Sequence, residues 1–166
     1  MTDVFSSLFP SDQHLAALDL ETTRDGRFVS FAAVTAEETF FTETPEEMHR
    51  ILTRLLDEKR RLVGHNLLGF DIPWLLKNGA DAHLADIPVI DTLFLSPLAF
   101  PANPYHRLDK DYKIVSDTVN NPVHDAELSL TLLADERAAL RKCPPAVLSL
   151  YSTLFSRAED PAFPGF

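Results

Sequence analysis

The hydrophobic pattern of the chain begins with a short apolar run at residues 15–23, which ends in two acids placed two positions apart. Side chains of a β-strand alternate between two faces, so a strand here puts Ala17, Asp19 and Glu21 on one face and Ala16, Leu18 and Leu20 on the other. Aligned carboxylates are costly unless a cation lies between them, and a divalent metal ion takes such hard oxygen ligands. Acids are also common where a strand enters an exposed turn, so both explanations are open.

The pattern after this strand predicts two more strands and a helix. Asp25-Gly26 is a hairpin turn signal, because Asp-Gly tolerates the positive φ that tight connections need. Residues 28–34 and 38–42 are predicted to form the next strands of an antiparallel meander. Thr44, which a proline follows, is predicted to cap a helix whose apolar residues recur at helical spacing.

Short strands and helices alternate over the rest of the chain. Three strands in a meander followed by such an alternation are typical of an α/β fold with a mixed sheet flanked by helices, in which the first strand is central. The further predicted elements are strands at 61–64 and 87–90, helices at 70–78, 91–98, 124–142 and 146–155, and one or two helical turns at 108–114.

Length and composition are those of a single globular domain. A chain of 166 residues with 45% hydrophobic and 24% charged residues can close a core of ordinary size. We expect the core to span about 14–142 and residues 143–166 to form a C-terminal extension or linker. No apolar run approaches the roughly 18 to 20 residues of a membrane span, and residues 1–12 lack the features of a signal peptide, so no membrane association is expected.

The single cysteine and the net charge narrow the functional classes. Cys143 is the only cysteine, which excludes an internal disulfide and a thiolate zinc cluster and agrees with a cytoplasmic location. The formal net charge of −10 argues against a protein that grips duplex nucleic acid with a broad basic face. It remains compatible with a nuclease, because cations held by carboxylates reverse the local sign of charge.

Two further acids stand at predicted helix starts. Asp71 follows His65-Asn66 and opens one helix, and Asp125 opens the long helix near the end of the chain. Each acid alone is explained as a helix-start residue that the dipole stabilises, and His65 and Asn66 alone as a structural histidine and a turn residue. A compact α/β fold would bring these acids to the pair on the first strand, and four clustered carboxylates imply two metal ions.

Together these stretches resemble the three motifs of the DEDD superfamily of 3′-to-5′ exonucleases, which has an RNase H-like fold. The Asp-Leu-Glu-Thr-Thr sequence at 19–23 resembles the first motif, the segment from His-Asn to Phe-Asp at 65–71 the second, and His-Asp-Ala at 124–126 the third. The segments 91–93 and 106–109 extend the resemblance, which covers about residues 15–140.

The resemblance implies a chemistry and a set of roles. In that family four acids hold two Mg²⁺ or Mn²⁺ ions, of which one activates a water and the other stabilises the leaving 3′ oxygen during phosphodiester hydrolysis. Asp19 would bridge the metals, and Glu21, Asp71 and Asp125 would complete the site. By the same resemblance, the residues near the terminal nucleotide would be Leu20, Thr22, Thr23, His65, Asn66 and Phe70.

The implied substrate is the 3′ end of a single-stranded nucleic acid. DNA is favoured over RNA, although no motif in the sequence determines contacts around the ribose 2′ position. Modules similar to this one are often attached to helicases or polymerases. A helicase or polymerase module in the same or another polypeptide is therefore an expected partner.

The sequence departs from the family at the general base, which is a His five residues or a Tyr four residues before the last motif Asp. Those positions hold Asn120 and Asn121, and an amide cannot take a proton from water at neutral pH. His124 is the nearest titratable residue and the candidate base, although neighbouring helical residues point about 100° apart. His106 and Tyr112 are weaker substitutes.

The missing base leaves three classes of function open. The first is an active metal-dependent exonuclease, which retention of all four acids favours. The second is a catalytically weak or inactive nuclease-like module that binds nucleic-acid 3′ ends or a partner protein such as a helicase. The third is a protein-interaction domain without metal.

Overall fold

The computed structural model of the chain describes residues 14–87, 89–106, 108 and 121–156, so the helical turns predicted beyond residue 108 lie outside it. Within these residues the strands are β1 (Leu15–Thr22), β2 (Phe28–Thr35), β3 (Thr39–Thr42), β4 (Arg61–Gly64) and β5 (Val89–Asp91). The α-helices are α1 (Pro45–Asp57), α2 (Ile72–Lys77), α3 (Thr92–Ala99), α4 (Pro122–Leu140) and α5 (Pro145–Ser156). A π-helical turn at Leu67–Asp71 and a 3-10 helix at Ala82–Asp86 complete the described elements.

The five strands form one mixed sheet in the order β3-β2-β1-β4-β5. Strand β1 pairs antiparallel with β2 and parallel with β4, and β3 and β5 lie at the two edges. The predicted α/β fold with a mixed sheet is therefore confirmed, and β1 is its central strand. In the described part of the chain, no helix is long and apolar enough to cross a membrane.

The alternation predicted for β1 separates two hydrophobic cores. Leu18 lies in the core that α1 covers with residues such as Met48. Ala17 lies in the other core, which includes Ala126 of α4. Both alanines are fully buried, and their small side chains allow the helix to pack closely on the strand. The acidic face of β1 is thereby placed against the start of α4.

The hairpin and the first helix begin where the sequence predicts, and the predicted cap residue Thr44 is the N-cap, but its side chain does not cap the helix. Gly26 has a φ of 80° in the turn between β1 and β2. Helix α1 begins at Pro45, yet the Thr44 hydroxyl makes no capping bond. That hydroxyl lies 3.2 Å from the Thr42 hydroxyl, which also accepts the Thr44 N–H at 3.0 Å. The Thr44 hydroxyl, which the pattern assigned to the helix end, therefore bonds within the polar turn before the helix.

Other element boundaries differ from the prediction by a few residues. The strand predicted at 87–90 is β5, and the helix predicted at 70–78 is divided between the π-helical turn and α2. Helix α4 begins two residues earlier than predicted, because the Asn121 side chain accepts the Val123 N–H at 3.1 Å and a proline occupies the first helical position. The predicted last helix is α5, whose Leu148 and Tyr151 pack against the second core.

Gly64 stands where β4 ends, and its lack of a side chain allows a close approach to β1. A Cβ atom at this position would lie 2.9 Å from the Leu18 carbonyl oxygen and 2.6 Å from Leu67 Cγ, and both residues are buried. We expect Gly64→Ala to lower the free energy of unfolding by about 1–3 kcal/mol, measured as a lower urea midpoint at an unchanged slope.

Gly69→Ala is the matched control for this substitution. Its new Cβ would meet first the end of the Asn66 side chain, which can rotate away. Equal urea midpoints for the two variants would contradict the importance of the close approach at Gly64.

Candidate metal centre

Three carboxylates from β1 and α4 lie together on the α4 face of the sheet. Asp19 and Glu21 of β1 and Asp125 in the first turn of α4 each offer an oxygen, and these oxygens lie within 4.8 Å of one another. Asp125 is buried, while the two β1 acids are partly buried. The period of the strand places the β1 acids on one face, and the packing of α4 places the third acid against them.

Asp71 lies beside this group of three but is not a member of it. Its Oδ1 accepts the backbone N–H of Leu20 at 3.0 Å, and Leu20 stands between the two acids of β1. The Asp71 side chain is buried, and this burial raises its pKa well above the ordinary value, with the negative charge of Asp19 as the second cause. The fourth predicted acid therefore reaches the same part of β1 from another element.

The route by which Asp71 reaches β1 begins where β4 leaves the sheet. Strand β4 pairs with β1 only opposite residues 15–17. The chain then turns through Asn66, which has a left-handed φ of 71°, into the π-helical turn. Because β4 does not continue beside Leu20, the N–H of that residue is left to the Asp71 carboxyl.

His65 ties the end of β4 to α3 and to residue 108. The Thr92 hydroxyl donates to the Gly64 carbonyl at 3.1 Å and lies 2.9 Å from His65 Nδ1. The Leu108 N–H donates to His65 Nε2 at 3.2 Å. These bonds are those of a structural tie, and a contact of this histidine with substrate stays a prediction.

The other predicted substrate-binding residues lie in different environments. The Leu20 side chain is in the first core, so only its backbone faces the acids. Thr22 lies at a bulge in β1, and the Thr23 hydroxyl belongs to the hairpin turn, where it bonds to Asp25 and accepts the Arg27 N–H. Phe70, next to Asp71, is 40% exposed, so its ring is available for stacking.

The described residues at the general-base positions and among their candidate substitutes lie in different surroundings. Asn120 and Tyr112 lie outside the described residues. Asn121 caps α4, and its side-chain oxygen is occupied there. The His124 side chain is 42% exposed, with Nδ1 3.9 Å from a carboxylate oxygen of Glu127, and it is not in the group of three acids. His106 lines a cleft between α3 and α4.

Asp91 is a buried carboxylate whose role the sequence pattern did not reveal. It is fully buried and accepts the backbone N–H groups of Asn66 at 2.8 Å, Leu68 at 2.9 Å and Leu93 at 3.0 Å. Burial raises its pKa, while these three bonds oppose the rise. The sequence correctly predicts Asp91 as a helix start, but it carries no signal for the bonds to the turn after β4.

Glu136 is a second buried acid that the sequence analysis missed. Its side chain is fully buried between α3 and α4, where Oε1 accepts a hydrogen bond from the Ser96 hydroxyl and Oε2 has no hydrogen-bond partner among the described residues. Burial raises its pKa to about 8. A signal was present, because Glu136 lies at helical spacing from the buried Leu133 and Leu140.

The donor set of the three-acid group suits a divalent cation. Carboxylate oxygens are the ligands that Mg²⁺ and Mn²⁺ prefer, and three of them so close together repel one another unless a cation offsets the charge. Asp71, bonded to the strand between two of these acids, stands where it would extend the set. Comparisons of this chain with protein-family profiles, with curated proteins and with solved structures found no match.

Proposed function

We propose that this protein is a metal-dependent 3′-to-5′ exonuclease with an RNase H-like fold. Its substrate would be single-stranded nucleic acid, with DNA favoured, and its reaction the hydrolysis of the terminal phosphodiester bond. One observation carries the proposal: acids from distant parts of the sequence converge on β1, where Asp19, Glu21 and Asp125 form one group and Asp71 bonds to the intervening backbone.

These four acids would hold two Mg²⁺ or Mn²⁺ ions, which would supply an activated water and neutralise charge on the entering and leaving oxygens. The chain itself provides the rigid support, since Asp19 and Glu21 stand on the central strand and Asp125 on a long helix packed against it. The exposed ring of Phe70 offers a stacking surface for a base next to the acids.

We expect hydrolysis to be slow, because the group of three acids includes no general base among the described residues. General-base help is typically worth 10²–10⁴ in rate. Among the described residues, no histidine belongs to the group of three acids. We therefore propose slow turnover, with His124 as the candidate base if the start of α4 rearranges when substrate binds.

The lack of a well-placed general base also favours a second candidate function, a nuclease-like module that binds without rapid hydrolysis. Asn121 is occupied in capping α4, and His124 is directed toward Glu127. A module with this arrangement would bind metal and a 3′ end, or a helicase, without rapid hydrolysis. Because the net charge is −10, tight binding of the nucleic-acid strand would come from a helicase or polymerase module.

Degradation of a labelled single strand tests the proposal. Purified protein is expected to shorten a 5′-labelled DNA strand stepwise from its 3′ end in Mg²⁺ or Mn²⁺, and Asp19→Ala, purified in parallel, is expected to be inactive. A strand with a blocked 3′ end should persist. Equal degradation by both proteins, or none by either, would contradict the active exonuclease.

Metal binding is measured separately by melting temperature. Saturating Mn²⁺ at about 100 times its Kd stabilises by about 2.7 kcal/mol, which is roughly 5–10 °C for a chain of this size. Stabilisation without degradation would favour the binding module. No stabilisation at all would favour a protein-interaction domain without metal.

A further inference from the structure

The buried Asp91 carboxylate stands at the end of β5, the strand next to β4, and accepts hydrogen bonds from the turn that leads to Asp71. Two of its three donors are the N–H groups of Asn66 and Leu68, which are 25 and 23 residues away in sequence. The third is Leu93 in its own helix α3. A carboxylate that only capped α3 would need a single bond, so the other two connect the edge of the sheet to the turn.

The turn after β4 has a conformation that needs such support. Asn66 has a left-handed φ of 71°, a conformation that asparagine adopts more readily than most residues but less readily than glycine. The first N–H groups of a helical turn have no acceptor in the preceding chain. One oxygen of Asp91 accepts from Asn66 and the other from Leu68, so both of these donors are satisfied at the start of the turn.

The same turn ends at the proposed metal centre. The Phe70 N–H donates to the Asn66 carbonyl at 2.9 Å, which closes the turn, and the next residue, Asp71, accepts the Leu20 N–H at 3.0 Å. We propose that Asp91 is a positioning residue for the metal centre, because it holds the π-helical turn at the place where the Asp71 carboxyl reaches β1. This inference rests on the proposed function for its consequence, while the bonds themselves do not involve the metal.

Asp91→Asn is the sharpest test, because the amide cannot accept all three bonds. Its oxygen can still serve Asn66 and Leu93, but its NH₂ group would then face the Leu68 N–H as a second donor. Asn remains a favourable helix cap, so α3 keeps its start. We expect the Mn²⁺ dissociation constant, measured by titration with the metal alone, to rise about 10–100-fold, the usual cost of losing an orienting partner.

Amide hydrogen exchange in the metal-free protein distinguishes a local effect at Leu20 from a change in overall stability. The Leu20 amide is expected to exchange at least tenfold faster in Asp91→Asn, while the β1 amides that bond to β2 keep their rates. Glu136→Gln is the matched control, since it also neutralises a fully buried carboxyl whose bond to Ser96 does not involve the turn. At pH 5, where this substitution is expected to have little effect on stability, it should leave both the Leu20 exchange rate and the Mn²⁺ affinity within twofold of the parent protein.

The outcomes separate this inference from the proposed function. Unchanged Leu20 exchange and unchanged Mn²⁺ affinity in Asp91→Asn would overturn the positioning role, even if the parent protein binds metal and degrades DNA. A parent protein that binds no Mn²⁺ would overturn the proposed function, and the exchange measurement would still decide whether Asp91 positions Asp71. If Asp91→Asn does not fold, Asp91→Ser, which also caps a helix but offers a single oxygen, takes its place with the same expected results.

Discussion

Asp71→Asn is expected to abolish metal-dependent degradation while raising the melting temperature of the metal-free protein. The amide oxygen can still accept the Leu20 N–H, so the turn keeps its bond to β1. Activity should fall on the order of a thousandfold, because a bound metal supplies several kcal/mol of transition-state stabilisation and each 1.36 kcal/mol is a factor of ten.

The gain in stability follows from the sign of the pKa shift. Burial, followed by the charge of Asp19, raises the pKa of Asp71 above its value in the unfolded chain, so the carboxyl destabilises the metal-free fold as the pH rises through the folded-state pKa. A neutral amide does not ionise. The difference in melting temperature between the variant and the parent should therefore grow from pH 4 to pH 8 in a chelating buffer.

The control for this substitution is Asp57→Asn, at an exposed position near the end of α1. It should change neither the degradation rate nor the melting temperature appreciably, since exposed substitutions are usually within about 0.5 kcal/mol. An Asp71→Asn protein that is less stable than the parent at pH 8 would contradict the account of a carboxyl destabilised by burial. Retained activity in Asp71→Asn would remove this residue from the proposed metal site.

Glu136→Gln is expected to stabilise the protein at pH 8 and to have little effect at pH 5. Burial raises the pKa of Glu136 from an ordinary 4.5 to about 8. The stability that its neutral form provides is fully present below about pH 4.5 and is lost as the pH rises toward 8. With 1.36 kcal/mol for each unit of difference, the loss is roughly 3 kcal/mol by pH 7.

The glutamine side chain removes this loss without disturbing the packing. It has the same shape, keeps an oxygen to accept the Ser96 hydrogen bond, and has no charge to bury. Urea unfolding at pH 5, 6.5 and 8 should show a midpoint difference that widens with pH. Glu127→Gln, on the exposed face of the same helix, is the matched control and should give a much smaller difference. A Glu136→Gln protein whose advantage does not depend on pH would refute this explanation.

The parts of the fold that depend on local pattern were predictable. The alternation in β1 correctly separated Leu18 from Asp19, and the Asp-Gly turn and the helical spacing of α1 and α4 predicted the elements that follow. For the site, the resemblance of three separate stretches to exonuclease motifs named the acids. Their metal-binding role stays a prediction, and the structure adds the convergence of three of them, with Asp71 beside them.

The parts that depend on packing between distant segments were not predictable. No local rule indicates that Thr44 would bond to Thr42 instead of capping α1, or that the turn after β4 would be π-helical. Two of the donors to Asp91 lie 25 and 23 residues away from it in sequence, and Ser96 lies 40 residues away from Glu136. Such bonds depend on which buried surfaces meet, and side-chain periodicity carries no information about that.

The sequence by itself determined the elements and the faces of this protein, because strand alternation, helical spacing and turn preferences act over only a few residues. It also determined which acids are candidates for the site. Only the tertiary structure decided how these acids are held. Strand β4 separates from β1 before Leu20, and the Leu20 N–H therefore donates to Asp71 instead of to a neighbouring strand. Burial then decided which carboxyls are costly, since desolvation depends on what packs around a group and not on its neighbours in the chain.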